Sequence, residues 1–141
     1  MIDLENVNIL IVDDDELMLS MAREMLVQRL PYKVHVAGSG AECLSILGRK
    51  TPHIDLILMD VYMPGMDGFQ TLTKVRQLHG YEKVPTVLLT AASDRDTVAN
   101  ALKMKVSGYI KKPFFANQLA EKVATVIMNE ALGMDDEDDE D

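Results

Sequence analysis

Five short apolar runs divide the chain, and the segments between them have a different spacing of apolar residues. The runs occupy residues 7–13, 33–38, 54–60, 84–91 and 107–114. The first, third and fourth are apolar nearly throughout, which is typical of strands that helices cover on both faces of a sheet. The pattern therefore predicts five short β-strands, three of them buried on both faces.

The segment after the first strand has the periodicity of an amphipathic helix. Its apolar residues recur at the three- and four-residue spacing of one helical face, namely Met18, Met21, Ala22, Met25 and Leu26. Such a stripe usually packs on a core, so we expect these methionines to be core residues rather than a docking surface.

Four more helices are predicted, at residues 40–49, 67–79, 94–105 and 115–132. Ser39 is a suitable N-cap for the second helix and Ser93 or Asp94 for the fourth, while Gly133 ends the fifth. Five strands that alternate with five helices predict an α/β fold with a parallel sheet, helices on both faces and right-handed crossovers.

Polar residues follow the strands at one edge of this predicted sheet. In doubly wound sheets, ligands bind beyond the carboxyl ends of the strands. The residues at those ends are Asp13, Asp14 and Asp15 after the first strand, Asp60 after the third, Thr90 after the fourth and Lys112 after the fifth. Four strands thus bring charged or hydroxyl groups to one edge, which predicts a functional site there.

The chemistry of these groups matches phosphoryl transfer. Clustered carboxylates repel each other and stay ionised most easily beside a cation, and an all-oxygen ligand set of this kind favours Mg²⁺. A lysine and a hydroxyl stabilise the charge on phosphoryl oxygens, and a carboxylate is able to act as the nucleophile. Asp15 is the exception among the acids, because its position favours a role as the N-cap of the first helix.

Composition and charge exclude several other classes. The 141-residue chain has a net charge of −9, but its last seven residues are all acidic, and the remainder has 16 acids against 14 bases. A near-neutral body lacks the clustered Lys and Arg of a nucleic-acid surface. We predict one domain over residues 1–133 and, over 134–141, an acidic, disordered tail or the start of a linker.

Cysteine content and hydropathy predict a cytoplasmic protein. The single cysteine, Cys43, cannot form an internal disulfide, and its place in a helical segment favours a small buried apolar residue. The N-terminal segment has no secretory pattern, and no apolar run approaches the ~20 residues of a membrane span.

Four separated motifs resemble the signature of response-regulator receiver domains, the phosphoacceptor modules of two-component signalling that include the chemotaxis regulators. The motifs are ILIVDDDE, LILMDVYMPGMDG, VLLTA and GYIKKPF, in that order, and the resemblance extends over residues 6–132. It implies a flavodoxin-like (βα)5 fold with the strand order 2-1-3-4-5.

The resemblance also implies a role for each acidic residue. Asp60 corresponds to the phosphoacceptor. Asp13 and Asp14 correspond to the pair that holds Mg²⁺, with Asp14 the more direct ligand, and the backbone carbonyl of Tyr62 would complete the protein's share of the coordination.

The remaining motifs imply the groups that bind and read the phosphoryl group. Thr90 corresponds to the hydroxyl that bonds it, and Lys112, rather than the preceding Lys111, to the lysine that pairs with it. Tyr109 corresponds to the aromatic residue that turns inward when Thr90 moves. The Lys112–Pro113 peptide bond is expected to be cis.

Together these features imply a signalling module, not a turnover enzyme. Asp60 would accept a phosphoryl group from a histidine kinase or histidine phosphotransfer protein, and the surface of the fourth helix, fifth strand and fifth helix would then change. The output would pass to a downstream protein partner or to an output domain outside this chain, with no direct contact to nucleic acid or membrane. The sequence leaves open whether the chain forms a homodimer.

Two positions depart from the common receiver pattern. Tyr62, two residues after Asp60, is bulky, and Ala92, two residues after Thr90, is small and apolar. Both positions flank the path of the water that hydrolyses the phosphoryl group in this family. We hypothesise that the Tyr62 ring shields the phosphoryl group from that water.

Two other classes have a similar strand arrangement. A phosphatase of the haloacid-dehalogenase type also uses an Asp nucleophile and Mg²⁺, but it requires a second Asp where this chain has Tyr62. A flavodoxin-like electron carrier needs Ser, Thr and Gly donors after the first strand, where Asp13 and its neighbours would repel a flavin phosphate.

Overall fold

Strands and helices alternate along the whole described chain. The computed structural model describes residues 3–91 and 94–133. A short 3-10 turn at Leu4–Asn6 precedes the first strand. The strands are β1 (Asn8–Val12), β2 (Lys33–Ala37), β3 (Leu56–Asp60), β4 (Thr86–Thr90) and β5 (Gly108–Lys111), and the helices are α1 (Glu16–Val27), α2 (Gly40–Gly48), α3 (Gly68–Val75), α4 (Arg95–Lys103) and α5 (Ala116–Ala131).

The five strands form one parallel sheet in the order β2-β1-β3-β4-β5. Every residue of β1, β3 and β4 is buried, as their continuous apolar sequences predict. Winding reverses direction between β1 and β3, which places the carboxyl ends of these two strands at the switch point. The predicted flavodoxin-like fold and strand order are confirmed.

Helices cover both faces of the sheet and bury two apolar cores. On one face, α1 and α5 pack against side chains such as Ile9, Leu58 and Val87. On the other, α2, α3 and α4 pack against side chains such as Leu10 and Met59. The alternation of side chains along each strand sends neighbouring residues to opposite cores, so a short buried strand contributes to both layers.

Polar side chains set where the helices begin. Asp15 caps α1 by accepting from the backbone N–H of Leu17 and Met18, and Ser39 caps α2. Both caps are as predicted. Asp94 caps α4, whereas the alternative start at Ser93 lies outside the described residues. Ala92 and residues 134–141 lie outside them as well.

The predicted end of the third helix is wrong. The helix ends at Val75 rather than at residue 79. Beyond it the chain continues through tight turns, in which Gln77 N–H bonds the Lys74 carbonyl and Leu78 N–H bonds the Val75 carbonyl. Arg76 meanwhile extends to the carbonyl of Met104. The segment beyond Val75 therefore continues as three-residue turns rather than as α-helix.

The core stripe predicted for the first helix is confirmed in part. The buried residues of α1 are Leu19, Ala22 and Leu26, whereas Met21 is 44% exposed. Met18 is half-buried. Ala22 and Leu26 are buried as predicted and Met25 packs half-buried against the core, so Met21 alone of the five predicted residues is exposed. By contrast, Cys43 is fully buried in α2, as expected.

Gly68 allows the first turn of α3 to lie against the end of β3. A Cβ atom at this position would lie 2.3 Å from the backbone oxygen of Asp60. The N–H of Gly68 also donates to the carbonyl of Val61 at 2.7 Å. The close approach holds the loop after β3 in place.

We expect Gly68→Ala to lower the free energy of unfolding by about 1–3 kcal/mol, because the methyl group must displace the Asp60 backbone. Gly48→Ala is the matched control, since nothing lies within 4 Å of a Cβ atom there. Urea denaturation of both variants measures the difference. Equal stabilities for the two variants would contradict this account of Gly68.

Candidate functional site

Four strand ends position the polar residues at the carboxyl edge of the sheet. Asp13 follows β1, Asp60 is the last residue of β3, Thr90 is the last residue of β4, and Lys112 follows β5. Register places Asp60 beside Leu89, and the Asp13 N–H bonds the carbonyl of Ala37. The hydrogen bonds of the sheet therefore fix where these side chains begin.

Three carboxylates converge at this edge. Oxygen atoms of Asp13, Asp14 and Asp60 lie within 4.8 Å of one another. Asp13 is 1% exposed and Asp60 6% exposed, while Asp14 faces solvent. Asp15 is turned away to cap α1, and its backbone N–H donates to Asp13 Oδ1 at 3.0 Å. That bond orients Asp13 toward the cluster.

One lysine faces the two buried carboxylates. Lys112 Nζ lies 2.8 Å from Asp13 Oδ2 and 3.5 Å from Asp60 Oδ1. Lys111, one residue earlier, is exposed. The Lys112–Pro113 peptide bond is cis, as the resemblance implied. The tighter contact of Lys112 with Asp13 leaves Asp60 the less neutralised of the two.

The electrostatics of the site follow from this imbalance. Burial, and then repulsion by Asp13, raise the pKa of Asp60 to about 6 despite the opposing effect of Lys112. For Lys112, burial lowers the pKa, but the hydrogen bond to Asp13 and the nearby Asp60 outweigh it, so its pKa is raised. A cation that joined the carboxylates would relieve the repulsion.

The donor set suits a divalent cation that prefers oxygen. Two buried carboxylates and one exposed carboxylate share a single ammonium group, which leaves the cluster net negative. Mg²⁺ commonly takes one or two protein carboxylates and retains water or phosphate oxygens in its other positions. Asp13, Asp14 and Asp60 therefore fit such an ion by chemistry and by proximity.

Thr90 and Tyr109 lie to one side of the cluster. Thr90 is fully buried at the end of β4, and Tyr109 on β5 is 47% exposed. Both line a small gap between β4 and α4, together with Leu88, Thr97, Val98 and Ala101. An aromatic ring at the surface and a buried hydroxyl thus border the same space.

The side chain of Tyr62 points toward α4. Its hydroxyl lies 3.3 Å from Asp94 Oδ2 and 3.3 Å from Thr97 Oγ1, and the residue is 57% exposed. Sequence reasoning did not find this contact. Asp94 was visible as an N-cap, but no local signal pairs it with a tyrosine 32 residues away.

A cavity larger than the gap beside Thr90 lies elsewhere among the described residues. Its volume is about 740 Å³, and residues such as His53, Asp55 and Lys83 line it at the amino ends of the strands. None of the converging carboxylates borders it. The acidic cluster is therefore separate from this cavity.

Comparison with known proteins decides the family. The family described as "Response regulator receiver domain" matches residues 9–124. The chain belongs to this family. Its members are signalling domains rather than enzymes in the usual sense.

Similar sequences occur in regulators and in kinases. The receiver is 37% identical over 109 residues to the transcriptional regulatory protein MalR of Bacillus subtilis, covering 77% of this chain and 45% of MalR. It is 32% identical over 125 residues to the sensor histidine kinase TmoS of Ectopseudomonas mendocina, covering 89% of this chain and 12% of TmoS. The chain thus spans half or less of these curated relatives.

Solved structures support the same family. The receiver superposes on the chemotaxis protein CheY4 of Vibrio cholerae with a TM-score of 0.78 and 28% identity, covering 85% of this chain and 98% of that one. A receiver domain protein from Clostridium thermocellum gives a TM-score of 0.80 and 26% identity, covering 91% and 99%. These similarities favour the receiver family over the phosphatase and electron-carrier hypotheses.

Within residues 3–91 and 94–133, no helix combines the length and the apolar character that a bilayer crossing requires.

The raised pKa of Asp60 predicts that the free energy of unfolding depends on pH. The folded receiver binds the Asp60 proton more tightly than the unfolded chain, so stability falls as pH rises from about 4, the ordinary value, to about 6. With the cation chelated, we expect Asp60→Asn to be more stable than wild type above pH 6, by roughly 1–3 kcal/mol. The difference should shrink near pH 4, where wild-type Asp60 is protonated.

Urea denaturation at several pH values with a chelator present measures this difference. Glu121→Gln, at an exposed position of α5, controls for the loss of one negative charge. A gain in stability for Asp60→Asn that is the same at pH 4 and pH 7 would show that burial and repulsion at Asp60 are not its cause.

Proposed function

We propose that this receiver accepts a phosphoryl group on Asp60 from a phosphohistidine of a histidine kinase or histidine phosphotransfer protein. One observation carries the proposal. The Asp60 carboxylate lies at the carboxyl edge of the sheet, among two further carboxylates, with Lys112 Nζ 3.5 Å away. A nucleophile, a cation site and a fixed positive charge are the components that phosphoryl transfer needs.

The chain's own groups divide the reaction among them. An Asp60 carboxylate oxygen attacks phosphorus, the bond between phosphorus and the histidine nitrogen breaks, and its electron pair returns to the donor's imidazole. Lys112 stabilises the charge on a phosphoryl oxygen, and the Thr90 hydroxyl donates to another. The product is an aspartyl phosphate on Asp60.

Mg²⁺ would be held by Asp13, Asp14, Asp60 and the backbone carbonyl of Tyr62. When bound, it supplies the positive charge that phosphoryl oxygens and crowded carboxylates both require. The raised pKa of Asp60 supports this assignment, because a cation favours the ionised form that must act as nucleophile.

Phosphorylation would then change the surface of α4, β5 and α5. Thr90 would move toward the phosphoryl group, and Tyr109 would turn into the gap that both residues border. The change is a shift between two populations, so phosphorylation biases it only by its different interaction energy with each state. Tyr109 is half-exposed in the present structure, which suits the unphosphorylated state.

The relatives support the choice of partners. They include a sensor histidine kinase and transcriptional regulatory proteins, and the chain corresponds to only a part of each. We infer that a histidine-containing donor acts upstream and that a protein partner or an attached output domain acts downstream.

Incubation with the small phosphodonor acetyl phosphate tests the proposal. We expect intact mass spectrometry to show a gain of one phosphoryl group that requires Mg²⁺ and is absent in Asp60→Asn. Glu121→Gln is the control for charge and should be phosphorylated like wild type. A folded wild-type protein that gains no phosphoryl group in Mg²⁺, or an Asp60→Asn variant that gains one, would contradict the proposal.

A further inference from the structure

Helix α4 is held on the sheet by few buried side chains. Only Thr97 and Ala101 of its nine residues are buried, and Leu102 is 75% exposed. The shorter α3 buries four of its eight residues. Apolar burial is the main source of helix docking energy in a layered fold, so specific polar contacts carry a larger share of the docking of α4.

One such contact holds the first turn of α4. The Tyr62 hydroxyl is placed to donate to Asp94 Oδ2, and it shares a second hydrogen bond with Thr97 Oγ1. Asp94 Oδ1 already accepts from the N–H of Thr97 at 2.8 Å. Asp94 therefore uses one oxygen to cap the helix and the other to bind the loop that follows Asp60.

A second contact holds the opposite end of α4. The Arg76 guanidinium, at the end of α3, donates through Nη1 to the carbonyl of Met104, the C-cap residue of α4. One residue before α3 and one after it in the chain thus contact the two ends of α4. The two contacts differ in place: the one from Tyr62 lies next to Asp60 in the chain, and the one from Arg76 lies far from the acidic cluster.

We propose that the Tyr62 hydroxyl is a latch that holds the first turn of α4 to the loop after Asp60 in the unphosphorylated protein. The connection between β4 and α4 begins after Thr90 and ends at Asp94. Tyr62 holds the Asp94 end of this connection. The movement of Thr90 toward Asp60 in the proposed function would act on this same connection. In that respect the inference rests on the proposed function, whereas the latch itself exists without phosphorylation.

Ring and hydroxyl of Tyr62 have separate tasks in this proposal. The hydroxyl positions α4, whereas shielding of a phosphoryl group on Asp60 by the ring is the separate hypothesis drawn from the sequence. Tyr62→Phe removes the first task and keeps the second, whereas Tyr62→Asn removes both. The Tyr62 hydroxyl is accordingly a positioning group for α4, separate from the backbone carbonyl proposed to hold Mg²⁺.

Hydrogen exchange of the unphosphorylated protein tests the latch. We expect Tyr62→Phe to speed exchange in peptides that cover α4 by about three- to tenfold, the range for loss of one hydrogen bond, with α1 and α5 unchanged as internal references. Tyr32→Phe, which removes a tyrosine hydroxyl in the opposite helical layer, should leave α4 at the wild-type rate. Equal exchange in Tyr62→Phe and wild type overturns the latch.

A double-mutant cycle with Asp94→Ser tests the partner. Serine keeps a good N-cap but lacks the carboxylate oxygen that meets Tyr62. We expect Tyr62→Phe to change exchange in α4 by less in the Asp94→Ser background than in wild type. Full additivity of the two substitutions overturns Asp94 as the latch partner.

Decay of the phosphorylated form separates the latch from the proposed function. After removal of acetyl phosphate, we expect Tyr62→Asn to lose its phosphoryl group faster than Tyr62→Phe, because only the asparagine variant lacks the ring. A lifetime shortened equally in both variants overturns the division between hydroxyl and ring. If wild type takes up no phosphoryl group, the proposed function fails, while the exchange measurements still decide the latch.

Discussion

Asp13 and Asp60 are buried side by side at the carboxyl edge of the sheet, and one lysine faces both of them. Lys112 lies closer to Asp13, at 2.8 Å, than to Asp60, at 3.5 Å. Like charges in a partly desolvated site repel each other strongly, and a single ammonium group cannot neutralise both. The fold therefore keeps an unbalanced negative charge at the place where a cation and a phosphoryl group would each be stabilising.

The sheet accounts for why this costly arrangement persists. Parallel pairing brings the ends of β1, β3, β4 and β5 to one edge, and the strands themselves are anchored in two apolar cores. The loop after Asp60 also contacts α4 through Tyr62, and this contact connects the acidic cluster with the surface of α4.

Most of the fold was predictable from the sequence because its signals are local. The continuous apolar strands, the caps at Asp15 and Ser39 and the alternation of elements each depend on residues close together in the chain. The convergence of the acidic cluster with Lys112 was also predictable, since the ends of parallel strands meet at one edge of the sheet.

The remaining features depend on contacts between distant segments. The end of α3 at Val75 reflects turns and an Arg76 contact with Met104, which no local pattern encodes. Met21 fits an apolar stripe as well as Leu19 does, and only the rotation of α1 on the sheet separates them. The direction of the Tyr62 side chain was unforeseen for the same reason.

The central claim is that Asp60, among the three carboxylates of the cluster, is the phosphoacceptor. Reduction with sodium borohydride converts an aspartyl phosphate to homoserine, and tandem mass spectrometry then locates the converted residue. After exposure of the protein to acetyl phosphate and Mg²⁺, the account predicts homoserine at residue 60 and at neither Asp13 nor Asp14. Homoserine at either of those two positions, with residue 60 unchanged, would contradict it.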